Sequence, residues 1–259
     1  MGDLVLSRAC LGQTNIQVSP IGLGTVKFGR NTGLKYHTTF SLPSDAEIRK
    51  LLHVARDAGV NLLDTAPAYG LSEARLGKAL KGERQHFVIS TKAGEQFIND
   101  VSHFDFTEKA VIKSVENSLR ALQTDYIDVL LIHSNGDDEK IIHEFNVFAT
   151  LNQLKQAGKI RSFGMSTKTV AGGKLTVEQA DVVMVTYHPL YTEEAVVLEY
   201  AAQLKKGVLI KKALGSGALS ATDSLPFIFK QPAVSSVIIG TLNTDHLLEA
   251  VKIANKLLY

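Results

Sequence analysis

Short apolar runs alternate with longer segments whose apolar residues recur every three or four positions, and this alternation governs most of the chain. NLLDTA follows SDAEIRKLLHVARDAG, FVISTKAG follows SEARLGKALKG, and YIDVLLIHS follows TEKAVIKSVENSLRALQT. In the last of these amphipathic segments Val111, Ile112, Val115, Leu119 and Leu122 share one face, the spacing of a helix with a sheet side and a solvent side. Further on, IRSFGMST, DVVMVTYHPL, VLIKKALG and SSVIIGTLN read as strands. The helical candidates among them are EFNVFATLNQLKQAG, TEEAVVLEYAAQLKKG and the apolar SLPFIFK, and TDHLLEAVKIANKLL is the last helix. Near-continuous apolar strands are buried on both faces, which is the pattern of a parallel sheet covered by helices. With IGLGTVKFG as the first, eight strands are expected, and 259 residues is close to the roughly 250 typical of a (β/α)8 TIM barrel. We therefore expect an α/β chain forming one barrel domain over residues 1–259. Gly59, Gly82, Gly158 and Gly207 stand where helices end and suit C-caps.

Charge narrows the partners. Lys and Arg total 28 against 26 Asp and Glu, a formal net charge of +2, and no stretch interleaves basic and aromatic residues as a nucleic-acid surface does. The single cysteine, Cys10, has no intrachain partner, and no apolar run reaches the roughly 18 residues of a membrane span. The expected setting is cytoplasmic, with a small-molecule substrate, no nucleic acid, no membrane, and a monomer or weak oligomer.

The polar residues then take on meaning from their positions. Asp64 ends the second strand, Lys92 the third and His133 the fourth, so three titratable groups stand at the C-terminal ends of adjacent strands, the face on which barrels carry their chemistry. Tyr69 follows Asp64 closely, between Ala68 and Gly70. A phenol with a pKa near 10 is a poor acid at pH 7, but a neighbouring ammonium favours the phenolate, and a buried Asp keeps that ammonium charged. A neutral His133 can donate a hydrogen bond to a substrate oxygen. Such a set suits polarisation of a carbonyl and protonation of the alkoxide it becomes. There is no metal cluster and no G-x-S-x-G elbow.

At these residues the chain resembles the aldo-keto reductase family. DTAPAYGLSEARLG is similar to that family's first signature, with Asp64, Tyr69, Gly70 and Glu73 in place, while STKAG carries its lysine and LLIHS its histidine. The resemblance implies catalytic roles for Asp64, Tyr69, Lys92 and His133. It also implies NAD or NADP extended over the top of the barrel, with hydride passing between nicotinamide and an aldehyde, ketone or sugar hydroxyl while Tyr69 handles the proton.

The implied cofactor contacts carry over unevenly. Gly24, Thr25 and Asp64 match the nicotinamide end, and Ser166 matches the serine that binds the carboxamide, although Thr167 replaces the asparagine beside it and Met184 a frequent glutamine. In VLIKKALGSG the implied contacts are Lys211, Leu214, Ser216 and Gly217, with Lys211 where an aromatic ring often stacks. Adjacent lysines in a strand point to opposite sides, so one of Lys211 and Lys212 is expected to face the cofactor or substrate. In GTLNTDHLLEA the adenosine side falls to Gly240, Thr241, Asn243 and His246. His246 replaces the usual arginine, Gly240 a frequent lysine and Ala250 a frequent asparagine, so the cationic clamp for a 2'-phosphate is missing.

The long stretch FGRNTGLKYHTTFSLPS, with Arg30, Lys35, Tyr36, His37 and Phe40, is expected to form a lid or a pocket wall. The sequence ends near the eighth helix, like a short bacterial-type member without the long C-terminal loop, so an open or small-substrate site is expected. His188 reads as a packed loop residue. Two other classes fit the sequence: a redox-sensing nicotinamide-binding subunit with slow turnover, and a barrel isomerase or lyase without cofactor. The intact four-residue set argues against the former, and the family match makes the latter the least favoured.

Overall fold

The computed structural model describes residues 5–34 and 40–258. Eight parallel strands close a barrel: β3 (Ile21–Gly24), β4 (Leu62–Asp64), β5 (Val88–Ala93), β8 (Ile127–His133), β9 (Ile160–Ser166), β10 (Val182–Thr186), β11 (Gly207–Lys211) and β12 (Ser236–Ile239), with β12 pairing back to β3. Two small antiparallel hairpins stand outside it, β1 (Ala9–Cys10) with β2 (Gln17–Val18), and β6 (Glu95–Ile98) with β7 (Val101–Phe104). The (β/α)8 architecture is thus the one the alternation predicts.

The strands are mostly apolar because each is covered twice. Leu63, Ile89, Leu130, Ile132, Val183 and Val208 pack outward under the helices, while Leu62, Val88, Val129, Leu131, Val182 and Leu209 fill the barrel with Leu11, Ile16 and Val18 of the first hairpin. That hairpin closes the N-terminal end of the barrel and leaves the chemistry to the other.

Several local expectations are corrected. TVKFG leaves the first strand at once, as a short helix Val26–Gly29. Ile112 is only partly buried at the rim of helix Glu108–Leu122, where Ser114 and Ser118 share the covered face. The segment EFNVFATLNQLKQAG is broken at Asn146 (φ 48°), so helix Asp138–Glu144 ends before helix Val147–Gln156 begins. Gly207 caps nothing. Lys205 takes the left-handed residue there (φ 53°), and Gly207 instead lacks a side chain because a Cβ would stand 2.8 Å from Leu11.

Helix Val170–Gln179 is absent from the sequence reading, since Gly172 and Gly173 break its pattern. Packing is the reason for both glycines. A Cβ on Gly172 would fall 2.1 Å from the Asp138 side chain, and one on Gly173 would fall 2.7 Å from Val197. No helix among the described residues is long and apolar enough to cross a membrane.

Candidate active site

Asp64 leaves an apolar strand because the barrel's open end begins there. Both its carboxylate oxygens accept from Lys92 Nζ at 2.8 Å, and the ammonium's third hydrogen bond goes to the Thr65 carbonyl, also at 2.8 Å. Lys92 is 2% exposed. A buried lysine survives only with such compensation, and here burial alone would lower its pKa while the charge of Asp64 raises it, with a net rise. The pair is a fixed ammonium.

Tyr69 ends a short 3-10 turn, Pro67–Tyr69, closed by its N–H on the Ala66 carbonyl at 3.0 Å. Gly70 then turns with φ 61°, against Gly29 so closely that a Cβ would meet the Gly29 carbonyl at 2.3 Å. This contact holds the phenol over the strand ends. Lys92 Nζ lies 4.9 Å from the centre of its ring, and His133 meets it edge-on with ring centres 6.2 Å apart. Burial pushes the Tyr69 pKa up and outweighs the downward pull of Lys92. The ammonium thus favours the phenolate as expected, but burial is the larger effect, and the phenol is held protonated as a donor.

His133 ends β8. Its Nδ1 lies 2.6 Å from Glu95 Oε2, a close contact without the alignment of a linear hydrogen bond. Burial lowers the pKa of His133 despite Glu95, whose own carboxyl is held down at about 2 by His133 against the cost of burial. Sequence reasoning missed Glu95 because it missed the β6–β7 hairpin, yet a signal existed: Asn99-Asp100, both at positive φ, between two short strands. Arg30 fastens this hairpin, its guanidinium 3.2 Å from the centre of the Phe97 ring and donating to the Ala68 carbonyl at 3.1 Å. Lys35, Tyr36 and His37 lie outside the described residues.

Because Glu95 titrates far below the ordinary carboxylate, it stabilises the fold fully above about pH 4.5, and that contribution is lost as pH falls toward about 2. Acid unfolding of a Glu95→Gln variant followed by circular dichroism should accordingly be less steep in this window than that of the wild type.

A cavity of about 590 Å³ opens over the strand ends. Its lining brings together Gly24, Thr25, Asp64, Tyr69, Lys92, His133, Ser166, Lys211, Leu214, Ser216, Gly217, Gly240, Thr241 and His246. Thr167 and Asn243 are not in it. The Thr167 hydroxyl turns toward the Met184 carbonyl at 3.5 Å and Glu194 at 3.4 Å, and the Asn243 side chain accepts from the Asp245 N–H at 2.7 Å, starting helix Thr244–Leu258. Lys211 donates to Ser166 Oγ at 2.8 Å and to the Thr167 carbonyl at 2.5 Å, and burial depresses its pKa to about 7. Lys212 also lines the cavity, since the strand ends at Lys211 and the next residue turns left-handed at φ 53°. Strict alternation therefore does not separate the two lysines. His188 packs in its loop, with Nδ1 accepting from the Leu190 N–H at 3.3 Å.

The pattern of the Aldo/keto reductase family matches residues 20–226. The chain belongs to that family. A Pseudomonas aeruginosa crystal structure assigned to the aldo-keto reductases is 45% identical, covers 100% of this chain and 99% of its own, and superposes with a TM-score of 0.92. Aldo-keto reductase YhdN of Bacillus subtilis is 31% identical over 229 residues, 85% of this chain and 66% of YhdN. The NADH-specific methylglyoxal reductase of Escherichia coli is 28% identical over 230 residues, 79% of this chain and 69% of that enzyme. The chain is an NAD(P)-dependent oxidoreductase of this family, and relatives act on small molecules.

Proposed function

We propose that this chain reduces a small aldehyde or ketone, or runs the reverse reaction on a sugar hydroxyl, with Tyr69 as proton donor and acceptor. The Asp64–Lys92 pair beside Tyr69 is the observation that carries this reading, because it places a fixed positive charge where a phenolate forms as the proton leaves. A phenol protonated at neutral pH favours the reductive direction.

The lining fits an extended anionic dinucleotide. Lys27, Lys168, Lys211 and Lys212 line the cavity with His246, against two acids, Asp64 and Glu249, of which Asp64 is consumed by Lys92. Gly24 and Ser166 would hold the nicotinamide end, Leu214, Ser216 and Gly217 the middle, and Gly240, Thr241 and His246 the adenosine end. Nicotinamide, when bound, supplies or takes up the hydride. Lys211 occupies the Ser166 hydroxyl and must release it, or share it, for a carboxamide to bind there. The slow-turnover sensor finds no support in a site whose proton-handling residues are all in place.

Glu249, three residues after His246, faces the same cavity and adds negative charge where a 2'-phosphate would need a cation. NAD is therefore expected to serve as well as NADP or better. Replacing His246 by Arg should improve NADP use relative to NAD by about tenfold, some 1.4 kcal/mol. A wild-type preference for NADP above about a hundredfold would overturn this reading of the adenosine end. Reduction of a panel of small aldehydes, ketones and keto-sugars with either reduced cofactor tests the function itself, and no turnover of any of them would reject it.

A further inference from the structure

We propose that Glu95 is a positioning residue that keeps a proton on Nδ1 of His133, so that Nε2, facing the substrate, accepts a hydrogen bond in the neutral ring and donates one only as imidazolium. The inference deepens the reading above, since it assumes that His133 meets the substrate oxygen.

Three observations carry it. Glu95 Oε2 is 2.6 Å from Nδ1, and a carboxylate is an acceptor only, so a contact this short, although not aligned as a linear hydrogen bond, is repulsive unless Nδ1 carries the proton. Nδ1 is itself buried, while the His133 side chain remains 20% exposed and lines the cavity, which leaves the Nε2 edge to the substrate. The carboxylate is fixed from its other side as well: Ser102 Oγ donates to Oε1 at 2.6 Å, from the strand paired with that of Glu95.

The groups around the ring decide which form prevails. Lys92 from β5 and Lys211 from β11 oppose a charged ring, Glu95 from β6 favours it, Tyr69 contributes only its ring edge, and burial tips the balance to the neutral form. In neutral solution the histidine is thus an acceptor. The proposal thus differs from the expectation of a neutral His133 that donates. A hydroxyl substrate can give its hydrogen bond to Nε2, whereas a carbonyl must recruit the imidazolium or rely on Tyr69 alone. Through the same residue, acid assists carbonyl reduction, and rising pH removes that help while leaving Nε2 free to accept from an alcohol.

Glu95→Gln separates this from a merely structural role. The amide can donate to Nδ1, which releases the ring to carry its proton on Nε2. In protein labelled with 15N-histidine, the His133 ring, assigned against a His133→Asn variant, should show a protonated Nδ1 in the neutral wild type and a protonated Nε2 in Glu95→Gln. A protonated Nε2 in the neutral wild-type ring, or one unchanged tautomer in both proteins, overturns the proposal, and if the variant does not fold the wild-type spectrum still decides it. In parallel, kcat/KM for carbonyl reduction should fall by up to about tenfold per pH unit above the ring's pKa in the wild type and by less than about twofold in the variant. A wild type that reduces nothing would reject the proposed function, and the ring spectra would still report on Glu95.

Discussion

Tyr69→Phe is expected to lower the turnover of a good carbonyl substrate by at least about 100-fold, the lower range for loss of a general acid. The ring and its packing remain, because the contacts that hold it are backbone: the turn closed on Ala66 and the Gly70–Gly29 approach. What disappears is the proton. Lys92 is a poor substitute, since its ammonium is held by Asp64 and the Thr65 carbonyl and its pKa is raised. Nucleotide binding, followed by fluorescence titration, should stay within about twofold of the wild type, so the loss appears in kcat rather than in affinity. A variant that turns over within a factor of about two of the wild type would remove Tyr69 from the mechanism.

The parts of this molecule that announce themselves in sequence are those with a one-dimensional signature. Buried parallel strands are near-continuous apolar runs, so the eight barrel strands stand out, and the residues at their ends inherit the site from the fold's geometry: Asp64, Lys92 and His133 lie together because β4, β5 and β8 are neighbours. What stays hidden depends on partners distant in the chain. Gly172 and Gly173 lower helix propensity, yet the helix forms because Asp138 and Val197 need the space their missing side chains leave. Glu95 is an unremarked polar residue after a strand until the hairpin returns it to His133. The balance at Tyr69 is hidden for a similar reason, since burial is a property of the assembled site and reverses the sign that the Lys92 charge alone suggests.

Lys92→Met is expected to separate the ammonium's structural and chemical roles. The Asp64 side chain, 7% exposed, would lose both hydrogen bonds from nitrogen and keep only Ser90 Oγ at 3.2 Å, leaving a buried carboxylate without a counter-charge. Removing one partner of such a pair costs about 3–5 kcal/mol, a large share of the roughly 5–15 kcal/mol by which domains are stable. Chemical denaturation should reveal that loss, and adding Asp64→Asn to make the site neutral should recover part of it. On the chemical side, Lys92 is the group that pulls the Tyr69 pKa down, so without it the pKa rises further. Alcohol oxidation needs the phenolate as base, and its rate climbs as that group ionises. The basic limb of its pH profile should therefore move to higher pH in Lys92→Met. An unmoved limb in a folded variant would mean that the ammonium holds Asp64 in place without acting on the proton at Tyr69.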